Sequence, residues 1–213
     1  MRSVPPVRSI TLAESIVLRP YDPSDAADLL VAVDVTRDRL ARWMPWVPFA
    51  TTVQDFEDFI RVAIRQGRDG SGLHRGLFES KRLIGTVGAS IGSLNFDEAD
   101  VGYWLAESHE GLGLASLATG HLIEWLFSER DMHRITIRAA VANKRSRALA
   151  ERLGFTLEGT LRGSLLLEGH HEDAALYSLL EEEWNPKELG VASESEGPPP
   201  IGLRPIDSPQ REE

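Results

Sequence analysis

Two glycines one residue apart, Gly111 and Gly113 in EGLGLAS (residues 110 to 116), stand directly before a long apolar helical pattern, LATGHLIEWLF. Glycine has no side chain to hold a ligand away, so successive backbone N–H groups at such a helix start can converge on an anion. The helix end adds partial positive charge. A diphosphate suits that arrangement, with amides offered by Leu112, Gly113, Leu114, Ala115 and Ser116 and the leucine side chains pointing into the fold. A plain strand-to-helix turn would use the same two glycines, and that alternative stays open on the motif alone. Two nucleotide-binding readings fail. A Rossmann fingerprint needs a third glycine where Ser116 stands and an acidic residue ending the next strand, whereas Asp131 lies before that strand. A Walker loop needs Gly-Lys-Ser/Thr, which the chain lacks.

A second constellation is NKRSRALAERLGFTLEG, residues 143 to 159. Asn143 reads as an N-cap, Ser146 as a first-turn residue, Leu149 and Leu153 as a core face, and Gly154 as a left-handed stop before Phe155. Other clusters carry less. His170 and His171 beside Glu172 and Asp173 could suggest a metal, but adjacent residues on a strand face opposite sides, so a solvated turn and no metal are expected. Trp43, Trp46 and Phe49 in RWMPWVPF would either line a groove or fill a core.

The elements that must position these residues follow from pattern. SIVLRP (15 to 20) reads as a strand, and Asp22 and Ser24 supply capping residues for the helical DPSDAADLLVAV. TTVQDFEDFIRVAIRQG repeats Phe56, Phe59, Ile60, Ala63 and Ile64 at helical spacing, with Gly67 able to close it. HRGLFES, RLIGTVGASIGSLN and DVGYWLAE read as a meander of three strands. After the glycine stretch and its helix come the strand RITIRAAV, the helix SRALAERLG, and two closing strands, FTLEGTLRG and DAALYSLL. The order β, α, α, β, β, β, α, β, α, β, β predicts an α/β mixed sheet with helices on both faces.

The chain has 213 residues, 42% hydrophobic and 26% charged, which suits one globular unit. Residues 1–14 are expected to be a flexible segment, 15–184 the folded domain, and 185–213 a disordered acidic tail holding six of the twelve prolines. The formal net charge is -10, and residues 1–186 keep -7, with 20 basic against 27 acidic side chains. That balance argues against direct nucleic-acid binding, which relies on Lys and Arg, and mildly favours a cationic partner. No run of roughly 18 apolar residues offers a membrane span, and MRSVPPVRSI lacks the apolar stretch of a secretory signal, so a cytoplasmic location is expected. Cysteine is absent, which excludes disulfides, thiolate metal sites and a cysteine nucleophile.

Together, GYWLAESHEGLGLAS and the Asn143, Ser146, Glu151, Gly154, Phe155 spacing resemble the GNAT superfamily of N-acetyltransferases, as do LRPYDPSDA near the start and HRI at His133 to Ile135. The likeness runs from about residue 15 to residue 183. It is strongest to the branch that acetylates the N-terminal residue of ribosomal proteins, for which GYWL and a tryptophan-rich early segment are typical. The resemblance implies a GNAT fold: a mostly antiparallel sheet whose parallel fourth and fifth strands splay apart around the cofactor. It implies acetyl-CoA, or another acyl-CoA, as co-substrate, held by Trp104, Leu105, Leu112, Gly113, Leu114, Ala115, Ser116, Asn143 and Ser146, and an acceptor beside Trp43, Trp46 and Tyr103. A homodimer is also consistent with that branch.

In such a fold an amine attacks the thioester directly. Keeping a lysine neutral at pH 7 costs about 4.6 kcal/mol, against about 1 kcal/mol for an α-amino group, at 1.36 kcal/mol per pH unit. A protein N-terminus therefore needs little base. The catalytic roles implied are Ser146 as proton donor to the departing sulfur, Asn143 as an orienting group and Asp100 as base, with Glu158 a second candidate. The chain departs from the resemblance at Glu110 and Leu112, where Gln or Arg and a basic residue are common, and at Leu165, where a carboxylate is expected. Rival readings are a polyamine, aminoglycoside or lysine acceptor, or an acyl-CoA sensor without turnover.

Overall fold

The computed structural model describes residues 9–92 and 97–186. The tail expected to be disordered lies almost wholly outside the described residues. Eight strands form one sheet in the order β1-β2-β3-β4-β5-β6-β8-β7. They are β1 (Ile10–Ala13), β2 (Ile16–Arg19), β3 (Gly72–Glu79), β4 (Arg82–Ile91), β5 (Glu98–Leu105), β6 (Arg134–Ala140), β7 (Thr156–Leu167) and β8 (His170–Leu180). Strand β1 pairs antiparallel with β2, so the sheet begins before residue 15, where the sequence pattern starts the folded unit. Of the seven pairings only β5 with β6 is parallel.

Helices cover both faces, as the pattern predicts. On one face α1 (Ala26–Val35) and α3 (Val53–Asp69) bury Leu29, Val33, Phe56 and Ile60 against Phe78, Leu83 and Trp104. Helix α3 starts at a reciprocal capping box, in which the Asp55 amide donates to the Thr52 hydroxyl and the Thr52 amide donates to the Asp55 carboxylate. It continues through Gly67 and stops at Gly70 (φ 80°), three residues beyond the expected stop. On the other face α4 (Leu114–Arg130) and α5 (Lys144–Arg152) bury Leu122, Ile123, Leu126, Leu149 and Ala150.

Two features escape pattern reading. A five-residue helix, α2 (Arg37–Ala41), follows α1. The Arg37 guanidinium donates to the carbonyls of Val47 (2.6 Å) and Ala50 (2.8 Å), which folds the tryptophan segment back on that helix. The closing strands are also longer than their apolar cores, turning at Glu168 (φ 48°) and Gly169 (φ 82°). His170 and His171 therefore stand on β8 rather than in a turn, because main-chain pairing with Leu167 and Leu166 continues past the apolar residues.

Candidate active site

The sheet itself opens the groove. Strands β5 and β6 pair only from Glu98 to Asp100 against Arg134 to Thr136. Beyond that β5 stays with β4 as far as Leu105, while β6 stays with β8 as far as Ala140. The parallel pair therefore separates after Asp100 and Thr136, leaving two strand edges facing a gap. A backbone edge without a partner strand retains unpaired N–H and C=O groups, which suit an extended amide-containing chain such as pantetheine.

Beside the gap, the turn after β5 leads into α4. Gly111 (φ 77°) and Gly113 (φ 76°) are both left-handed. The first bond of α4 runs from the Leu117 amide to the Gly113 carbonyl, so the amides of Leu114, Ala115 and Ser116 precede the helical ladder. No side chain caps this end and the first turn holds no acidic residue, unlike α3. These are the features of an anion-binding helix terminus. Leu114 is buried as expected, but Leu112 is 58% exposed and does not enter the core, because the left-handed glycines on either side turn the loop outward.

Helix α5 places the expected hydroxyl. The Ser146 amide donates to the Asn143 side-chain oxygen (3.1 Å), which caps the helix start. The Ser146 hydroxyl lies 3.0 Å from the Tyr103 phenol oxygen, and the phenol also reaches the Ser146 carbonyl (3.1 Å). Burial raises the Tyr103 pKa to about 12, with the Ser146 hydrogen bond opposing it. A second tyrosine anchors the same helix: buried Tyr177 donates to the Glu151 carboxylate (2.8 Å) and accepts from Arg147 (3.0 Å). The 43-residue separation hides the Tyr103–Ser146 pairing from pattern reading, although both residues stand out singly.

The candidate bases are not free carboxylates. Asp100 sits at the point where the strands part, but Arg138 donates to it at 2.8 Å and 3.3 Å, and the Thr136 hydroxyl at 3.3 Å. Glu158 accepts a bidentate pair from Arg134, both bonds at 2.7 Å, and a third bond from Ser178 at 2.8 Å. These bonds pull its pKa down to about 2, the Arg134 bond first and the Ser178 bond second. A depressed folded-state pKa adds stability that is present above the ordinary carboxylate value and is lost as pH falls toward about 2. Because Glu158 is solvent-exposed, screening limits that contribution to about 1 kcal/mol. The Glu158→Gln variant should therefore melt below the wild type at pH 7 and converge with it near pH 2.5, as differential scanning calorimetry would read; a constant offset at both pH values would refute this account. Leu165, the apolar residue at the expected carboxylate position, pairs with Glu172 across the β7–β8 ladder.

The remaining expected residues are placed as follows. Trp104 is 7% exposed and packs beneath α1 and α3, so only its backbone can serve a cofactor. The Leu105 carbonyl accepts from Arg39 at 2.8 Å. Glu110 bonds both Arg39 of α2 and Arg145 of α5, joining the glycine turn to helices on the two sides of the groove. Sequence pattern reading misses this brace because its members come from three distant segments. Trp46 is at the surface, edge-on to Phe56 (6.4 Å between centroids), and Trp43 is half-buried. Phe49 is 81% exposed, which removes it from any core. A cavity of about 360 Å³ lies elsewhere, lined by Thr36, Leu83, Ile84, Glu107, Ser108 and His109, and takes in none of the expected site residues. Among the described residues no His, Asp or Glu cluster could hold a metal ion, and no helix is long and apolar enough to cross a membrane.

Comparison with known proteins agrees with this geometry. Residues 15–156 match the profile of the acetyltransferase (GNAT) domain. The chain is 35% identical over 173 residues to YdaF of Bacillus subtilis, which carries the provisional name ribosomal N-acetyltransferase; the match covers 80% of this chain and 94% of that one. It is 28% identical over 171 residues to the ribosomal-protein-serine acetyltransferase of Escherichia coli, covering 80% and 95%. Among solved structures, RimL, a ribosomal L7/L12 α-N-protein acetyltransferase in complex with coenzyme A, superposes with a TM-score of 0.76 at 26% identity, covering 81% of this chain and 98% of that one. A splayed parallel strand pair, an uncapped helix start at its mouth and a relative that binds coenzyme A converge on one conclusion: the chain belongs to the GNAT acetyltransferase family.

Proposed function

We propose that this acetyltransferase moves the acetyl group of acetyl-CoA to the α-amino group of a protein N-terminus. The diphosphate rests on the amides from Leu112 to Ser116, and the pantetheine follows the gap between β5 and β6. Asn143 turns its side-chain N–H2 toward the cofactor, since its oxygen is engaged at the helix cap. The amine attacks the thioester carbonyl from the mouth of the gap. The C–S bond then breaks, the electron pair stays on sulfur, and Ser146 supplies the proton.

The observation that carries this reading is the engagement of Asp100 and Glu158 by arginines, while the Ser146 hydroxyl is held by a phenol and by no carboxylate. A site that offers an acid but only ion-paired carboxylates suits an amine already largely neutral near pH 7, and the α-amino group at about 7.8 meets that condition where lysine at about 10.4 does not. The names of relatives, ribosomal-protein-serine and ribosomal protein uS5-alanine acetyltransferases, fit the same acceptor class.

The test is release of CoA across an acceptor panel: peptides beginning with Ser or Ala, the same peptides N-formylated, spermidine, an aminoglycoside and Nα-blocked lysine. Transfer to the free peptides, with a rate rising through an apparent pKa near about 7.8, is expected. Turnover with spermidine and none with peptide would overturn the acceptor assignment.

A further inference from the structure

The environment of Ser146 assigns a role to Tyr103 beyond lining the acceptor site. The phenol oxygen lies 3.0 Å from the Ser146 hydroxyl and 3.1 Å from the carbonyl of the same residue. A phenol has one proton. If that proton goes to the carbonyl, the serine hydroxyl can bond the phenol only by donating to it, and its own proton then points away from the groove. If the phenol donates to the hydroxyl instead, the serine proton is free to point at a departing sulfur. The two bonds thus define a productive and an unproductive state of one side chain, and the position of a single hydrogen separates them.

Position brings this pair to the groove. Tyr103 lies on β5 beyond Asp100, on the stretch where β5 has left β6, so its strand forms one wall of the gap while its side chain crosses to α5. Burial keeps the phenol protonated throughout the physiological range, since its pKa is raised to about 12, so it remains a donor. A donor already aimed at its acceptor stabilises charge developing there without the reorganisation that water needs.

We propose that Tyr103 is a positioning residue that donates its phenolic hydrogen bond to the Ser146 hydroxyl, aiming the serine proton at the leaving sulfur and stabilising the serine oxygen as that proton departs. The inference rests on the acyltransfer reading given above. Protons balance without change at Tyr103: sulfur takes the serine proton as the C–S bond breaks, and the serine oxygen recovers one from the positively charged nitrogen of the tetrahedral adduct, which loses its extra proton on becoming an amide. Tyr103 ends as it began.

The test is Tyr103→Phe, which removes one oxygen and keeps the ring. With acetyl-CoA and a serine-initial peptide, kcat should fall on the order of tenfold, with KM for acetyl-CoA and the melting temperature of the CoA-bound protein close to wild type. In the Ser146→Ala background the same change should cost nothing further, because a residue that acts through the hydroxyl has nothing left to aim. Wild-type kcat in Tyr103→Phe, or a second full loss when the substitutions are combined, overturns the assignment. Leaving-group dependence guards against a packing effect: with an acetyl thioester of a more acidic thiol, which needs less help from an acid, the Tyr103→Phe loss should shrink, and an undiminished loss refutes the role. Should the wild type release no CoA with any amine, the acyltransfer reading falls and the inference with it, whereas an active wild type with an indifferent Tyr103→Phe removes the inference alone.

Discussion

Ser146→Ala is expected to lower kcat on the order of a hundredfold while leaving KM for acetyl-CoA within about threefold of wild type. Proton donation to a departing thiolate is an interaction made in the transition state, so its loss falls on kcat rather than on binding. The local structure is suited to a clean result. The helix cap uses the Ser146 amide and the Asn143 side chain, neither of which the substitution touches. Alanine is the strongest helix former, so α5 keeps its propensity. Tyr103 loses one partner but retains the carbonyl of residue 146. The melting temperature should therefore stay close to wild type. Unchanged kcat with peptide acceptors would show that the sulfur leaves without this hydroxyl.

The second large effect belongs to the glycine turn. With Gly111 and Gly113 both replaced by alanine, CoA affinity should fall on the order of a hundredfold, measured by isothermal titration. Both positions are left-handed, at φ 77° and 76°, where an L-residue pays roughly 1–2 kcal/mol. Relaxation of the free turn relieves that strain and takes the amides of residues 112 to 116 out of alignment, so CoA binding must restore it at about 2–4 kcal/mol for the two positions, and each 1.4 kcal/mol is tenfold in affinity. A steric origin within the protein is excluded, because a Cβ at either glycine meets no atom within 4 Å. The fold should survive, since the strain sits in an exposed turn. Gly67→Ala in α3 is the matched control: it is also free of contacts but has no positive φ, so CoA binding should hardly change. Undiminished affinity in the double variant would remove the turn from the cofactor site.

The features read correctly from sequence share a physical basis in local structure. The Asn143 cap, the left-handed Gly154 and the apolar face of α5 are interactions within about a dozen residues. The same holds for the glycines before α4 and for the strands of the meander. Where expectation and structure part, longer-range geometry decides. Helix α3 overruns Gly67 because that residue forms an ordinary helical turn, and the left-handed conformation falls to Gly70. Leu112 faces solvent because of the turn's path, and spacing carries no record of that.

The candidate site divides along the same line. Residue types and order by themselves determined that this chain builds a mixed sheet, opens a helix with bare backbone suited to an anion, and sets a hydroxyl in the first turn of the helix that follows β6, because capping, glycine conformation and apolar periodicity act over a few residues. Only the tertiary structure decided that Asp100 is tied to Arg138, that Glu158 is held by Arg134, that Glu110 braces Arg39 to Arg145, and that Tyr103 meets Ser146. Those partners lie 24 to 71 residues apart in the chain. Hydrogen bonds and ion pairs depend on distances of about 3 Å, and such distances between remote segments are set by how the sheet twists and which strands part, not by the spacing of letters along the chain.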